Sequence, residues 1–164
     1  MRLPGLGKGR SKRPVSYVSM QLFANTRGDL EERKLIRSHG SLKDFTSAVA
    51  VVDAAFELLA RRRIQSALNT HDINQTAERI FEYLKDRGVA FIDIEAIVRA
   101  AVGEDVHVAD IGIRESYLVK STGFIVFANA NPRLSDNELS AILADSEQIA
   151  ISKGFTPEAG PNSK

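Results

Sequence analysis

Between residues 15 and 23, polar and apolar positions alternate. Val18, Met20 and Leu22 fall on one side; Tyr17, Ser19, Gln21 and Phe23 fall on the other. A period of two over β-branched and aromatic residues predicts a strand. Asn25-Thr26-Arg27-Gly28 reads as a turn. Residues 29–38, DLEERKLIRS, predict a short helix with acids in its first turn, where the positive end of the helix dipole favours them. Gly40 ends it. From Ser41 the period becomes helical. Ser41 with Asp44 three residues on forms an Asp variant of the capping box, and Phe45, Ala48, Val49, Val52, Phe56 and Leu59 follow at helical spacing. Arg61-Arg62-Arg63 suits the negative end of that long helix.

Further along, Asn74 is positioned to cap a third helix, with Ile80, Phe81 and Leu84 inward and Gly88 closing it. Asp93 can cap a fourth, IEAIVRAAV, ended by Gly103. Residues 106–123 admit two readings: a helix centred on IGIRESYLVK, or the first strand of a hairpin turning at Ser121-Thr122-Gly123. FIVFA, 124–128, is a strand in either case. Ser135 and Glu138 form a capping box for a last helix that stops at Gly154. The fold class expected is therefore α+β and helix-rich, with about five helices and few strands. Residues 1–14 should be a disordered basic tail and 155–164 a second disordered tail. Residues 15–154 should form a single compact domain, divisible into sub-units at 15–70 and 74–154.

The chain has 164 residues, 43% of them hydrophobic, which suffices for a real core. It holds no cysteine, so disulfides and thiolate metal sites are excluded, which is compatible with a cytoplasmic location. No apolar run exceeds five residues, so no segment is expected to span a membrane. The net charge of +1 conceals an asymmetry. Residues 1–14 carry five basic side chains (Arg2, Lys8, Arg10, Lys12 and Arg13) and no acid, while the remainder is at −4. A basic arm on a mildly acidic body fits an anionic partner, nucleic acid above all.

The order of strand, short helix, turn and longer helix over residues 15–63 resembles the ribbon–helix–helix family of the Arc/MetJ type. In that family two chains pair their strands into a ribbon that enters the major groove. The resemblance implies a homodimeric, DNA-binding transcription regulator. Its outward residues would be Tyr17, Ser19 and Gln21, with Ser19 and Gln21 as the favoured base readers. Val18, Met20 and Leu22 would pack on Phe45, Val49 and Val52.

GVAFIDIEAIVRAAVGED, then ESYL, then GF, resembles the winged-helix domain of the Holliday-junction branch-migration motor. The matching residues are Gly103, Glu104, Asp105, Glu115, Tyr117, Leu118, Gly123 and Phe124, and the likeness covers about residues 74–128. It implies a winged-helix-like C-terminal half with Arg114 and Lys120 as phosphate contacts. The family's basic wing is replaced by ANANPRL, and neither an ATPase domain nor a phosphate-binding glycine loop is present.

Catalytic chemistry finds no support. LSDNELSAILADSEQIA resembles the approach to a zinc-peptidase helix, but Asp145, Ser146 and Ile149 stand where His, Glu and His belong. GLGKGR lacks the strand and the Lys-Ser/Thr of a phosphate loop. His39, His71 and His107 have no ligand spacing, and no nucleophile elbow occurs. The expectation is a small non-enzymatic DNA-binding protein, regulatory or accessory, without metal or cofactor. The alternative is a protein–protein interaction module of assembly or chaperone-like type, anchored by Tyr17 and Phe23, whose basic tail is incidental.

Overall fold

A computed structural model describes residues 13–38, 43–64 and 70–161, with the side chains of Thr70 and His71 excepted. Among them the chain is helical: α1 (Tyr17–Arg27), α2 (Leu30–Ser38), α3 (Phe45–Arg63), α4 (Thr70–Leu84), a 3₁₀ turn (Lys85–Arg87), α5 (Phe91–Ala101), α6 (Ile113–Asn129) and α7 (Asp136–Ser152). The only β feature in that part is an isolated antiparallel bridge between Ser16 and Ala159. The expected α+β class is overturned, and with it the strand–helix–helix and winged-helix-like halves.

The stretch predicted as a strand is α1. Ser16 caps it, its hydroxyl accepting from the Ser19 backbone N–H at 3.2 Å. Gly28, at φ 67°, ends it in the left-handed conformation that glycine takes without strain. Val18 and Leu22 are one helical turn apart, so both a strand and a helix place them on one face. The helix buries residues from both faces of the supposed strand: Val18 and Leu22 enter the main core, while Tyr17 packs with Ile36 of α2 and Ser19 is fully enclosed. The homodimer expected from a two-chain ribbon loses its basis with that strand.

FIVFA is the C-terminal half of α6, which runs unbroken through Ser121-Thr122-Gly123. The Ser121 hydroxyl donates back to the Tyr117 carbonyl at 2.7 Å, so it is held within the helix and opens no turn. Gly123 is buried where α6 meets α3 and α4. A Cβ there would lie 2.5 Å from Phe56 Cε2 and 3.1 Å from Ile80 Cδ1. The glycine that suggests a turn in the sequence is a packing glycine.

α3 is the centre of the molecule. It packs along α6 and α7 and also touches α1 and α5; α4 packs on α5 and α6. One continuous core runs from Val18 to Ala150, with Phe56, Leu59, Ile80, Ile94, Phe124, Leu139 and Leu143 fully enclosed. Asp44, not Ser41, caps α3: its carboxylate accepts from the Ser47 N–H at 3.1 Å, and Ser41 lies outside the described residues. The capping box of α7 forms as expected, with Ser135 and Glu138 each receiving the other's backbone N–H. α4 begins before Asn74, and α5 begins at Phe91 behind Ala90 rather than behind Asp93.

Both ends of the described chain meet. Val15 and Ser16 donate their backbone N–H groups to the buried carboxylate of Glu147, at 3.0 Å and 2.7 Å. Residues 155–161, expected as a free tail, lie against the body. Tyr17 N–H donates to the Glu158 carbonyl at 2.7 Å, Gly160 N–H donates to Val15 O at 2.8 Å, and Phe155 packs on the core. The chain is therefore clamped at Val15 and Ser16, directly after the basic segment. Arg2, Lys8, Arg10 and Lys12 lie beyond the described residues.

Candidate functional site

Among the described residues, those expected to contact DNA are dispersed. Ser19 is fully buried, its hydroxyl receiving a hydrogen bond from Ser16 Oγ at 2.9 Å, so it cannot read a base. Gln21 is half-buried on the inner side of α1. Lys120 is held at 2.8 Å by Asp53 across α3 and α6, with 24% of its side chain exposed, so its charge is already matched. Arg114 is exposed at the start of α6 and lies 3.9 Å from Glu115. Arg13 is exposed at the root of the arm. The interface anchors of the alternative fare similarly: Tyr17 is buried on Ile36, and Phe23 lies under the Arg27 guanidinium.

Most body cations already have partners. Arg61 pairs with Glu57, Arg62 with Glu138, and Arg99 with both Glu95 and Glu104. Arg63 donates to the carbonyls of Phe127, Ala130 and Pro132, closing the C-terminal end of α6. Burial draws its basicity below the ordinary arginine value. Arg62 and Arg63 thus tie α3 to α7 and to the end of α6, and Arg61 Nε reaches the Ala101 carbonyl of α5 at 3.3 Å. Arg27 binds Asp136 at 2.6 Å and the Leu134 carbonyl at 2.7 Å, while its second terminal nitrogen, Nη1, is buried without a hydrogen bond. It lines a groove of about 690 Å³, beside Arg13, Asp29 and Glu32.

Two further concavities are lined by polar side chains. The first, of about 230 Å³ between α3, α5 and α6, holds Asp53, Glu57, Ser116, Lys120 and Lys153 around an apolar floor that includes Phe56 and Ile97. Its central pair, Asp53 and Lys120, is self-neutralising. The second, of about 170 Å³, lies between α1, α2 and α6. Each helix contributes two side chains one turn apart: Gln21 and Asn25, Arg33 and Arg37, Tyr117 and Ser121. Spacing of four places both members of each pair on one helix face. Val18 and Leu22 form the apolar base.

No carboxylate lines this second pocket. Arg33 Nε is buried with no hydrogen-bond partner, and neither Arg33 nor Arg37 makes an ion pair among the described residues. The Tyr117 ring is set by a tilted contact with Phe45, centroids 5.0 Å apart. Burial raises its phenol above the ordinary tyrosine value, so it is a neutral hydroxyl at physiological pH. Ser121 donates its own proton to the Tyr117 carbonyl and so offers the pocket only lone pairs.

The helix over 29–38 is legible in the sequence, and Arg33 and Arg37 stand four apart in it, so half of this pocket carries a sequence signal. Its other half does not. The alternation of residues 15–23 predicts a strand, and a strand would not bring Gln21, Asn25 and Tyr117 to the two arginines.

Among the described residues no group of three or more His, Asp or Glu is arranged to hold a metal ion, and no helix is long and apolar enough to cross a membrane. His107 faces Asp110 at 3.1 Å, while His39 lies outside the described residues. Comparison of the chain with protein-family models, with curated proteins and with solved structures finds no match.

Proposed function

We propose that the protein is a non-enzymatic DNA-binding protein that holds the phosphate backbone through its N-terminal arm. The observation that supports this most is the partition of charge. Arg2, Lys8, Arg10, Lys12 and Arg13 have no acidic residue within the arm. In the body, Arg61, Arg62, Arg99, Arg27 and Lys120 are each paired with a carboxylate. The arm thus carries the densest run of positive charge in the sequence, five basic side chains in 14 residues with no acid among them. Cations of that kind displace condensed counterions from a nucleic acid, which yields affinity without sequence reading. With Ser19 buried, groove reading by the ribbon has no part in this proposal.

The test is a gel-shift titration of the full chain on random duplex DNA at several salt concentrations. It is repeated with Arg2, Lys8, Arg10, Lys12 and Arg13 all changed to Gln. Affinity should fall as salt rises, and the substituted arm should flatten the log–log slope by roughly 0.9 for each phosphate it no longer neutralises. Lys120→Gln should leave that slope unchanged, because Asp53 already engages Lys120. Absence of binding at low salt, or an unaltered slope in the five-fold variant, would overturn the reading.

A further inference from the structure

We propose that the pocket between α1, α2 and α6 binds a phosphate group, presented either as the free ion or as the terminal phosphate of a small phosphomonoester. This site is distinct from the arm and does not depend on DNA binding. Two arginines, Arg33 and Arg37, line a recess that has no carboxylate in its lining. One of them, Arg33, keeps a buried Nε–H with no acceptor. A buried donor left unsatisfied costs about 1–3 kcal/mol, and an oxyanion seated in the recess would supply the acceptor that the described protein atoms do not. The undescribed segments cannot supply an acidic side chain, since residues 1–12, 39–42, 65–69 and 162–164 contain no Asp or Glu.

The donors approach from three helices. Arg33 and Arg37 line it from α2, Gln21 and Asn25 from α1, and Tyr117, whose phenol burial keeps neutral, from α6. Guanidinium pairs with two oxygens of an oxyanion through parallel N–H groups. A planar carboxylate would use one such fork, whereas a tetrahedral phosphate offers further oxygens to the α1 and α6 sides. The volume of about 170 Å³ is below the ~300–1,000 Å³ of pockets that enclose drug-sized ligands. The rest of any phosphomonoester would therefore remain outside.

Thermal unfolding of the full-length protein tests this, with inorganic phosphate, glycerol phosphate and acetate titrated at constant ionic strength. Phosphate also stabilises proteins in general by exclusion from their surface, so Arg33→Gln and Arg37→Gln are measured beside the wild type. The wild-type midpoint should rise by a few degrees and follow a single-site isotherm. Each variant should show at least a roughly tenfold weaker apparent Kd, the loss of one charge-assisted hydrogen bond. Arg37 is exposed, so its variant will fold even if Arg33→Gln does not. A lower Kd for glycerol phosphate assigns the site to a phosphomonoester, and a lower Kd for inorganic phosphate assigns it to the free ion. The five-fold arm variant should keep the whole effect, which separates this site from the DNA reading. An equal rise in wild type and Arg37→Gln, or an equal rise with acetate, would overturn the proposal.

Discussion

Gly123 of α6 lies against the ring of Phe56 on α3, with no room for a side chain between them. A Cβ at Gly123 would approach Phe56 Cε2 to 2.5 Å and Ile80 Cδ1 to 3.1 Å, and Phe56 and Ile80 are both fully enclosed. Phe56 also leans on Phe127, one turn further along α6, with ring centroids 5.8 Å apart. The close approach of α3 and α6 therefore depends on a glycine in mid-helix.

Gly123→Ala should accordingly destabilise the protein. Alanine favours the helix over glycine by about 1 kcal/mol, but overpacking a tight core costs about 1–3 kcal/mol. The clash falls on an enclosed ring, so the second effect should win by about 1 kcal/mol, and Gly123→Leu should cost considerably more. Chemical denaturation measures both. Phe56→Leu, which opens space at the ring, should cost less in the Gly123→Ala background than alone. Additive effects would refute the contact.

Glu147 anchors the root of the arm. The residue is 4% exposed, and its carboxylate accepts from the N–H groups of Val15 and Ser16 just ahead of α1. Glu147→Ala would leave those donors unmatched in a closed environment. Hydrogen bonds to charged groups are worth ~1.5–3 kcal/mol, so a loss of about 2–3 kcal/mol is expected, with Glu147→Gln milder because one oxygen acceptor remains. Amide hydrogen exchange should accelerate at residues 15–17 first. Unchanged exchange there in Glu147→Ala would show that the carboxylate does not hold the root.

Stability should decline on the acid side through two capping carboxylates. The Ser47 hydroxyl and backbone N–H hold Asp44 below its ordinary value. The Ser135 backbone N–H and then the Arg62 side chain do the same for Glu138. Both groups bind protons less readily folded than unfolded. Their stabilisation is present above the unfolded values near pH 4 and is lost as pH falls through the lower folded ones. The double variant Asp44→Asn and Glu138→Gln should be less stable than wild type at neutral pH. It should also lose less between about pH 5 and 3. Urea midpoints measured across that range decide it, and parallel acid limbs would count against the two caps.

Residues with local, self-contained signals are legible from the chain alone. The helical period of α3, the reciprocal Ser135–Glu138 box of α7 and the stops at Gly88 and Gly154 all act within one or two turns of the backbone. The basic arm is equally plain, because charge is a property of composition. SYVSMQLF and FIVFA mislead because short apolar runs bury well either as strands or as helices, and only their surroundings choose. Tyr17 and Ser19 look outward until α2 and the Ser16 cap cover them. Gly123 looks like a turn until Phe56 meets it from α3. Lys120 looks like a phosphate contact until Asp53, 67 residues earlier, claims its charge. The pocket of Arg33 and Arg37 exists only because α1, α2 and α6 converge. Its chemistry rests on pairs of side chains distant along the chain, and tertiary packing alone brings such pairs together.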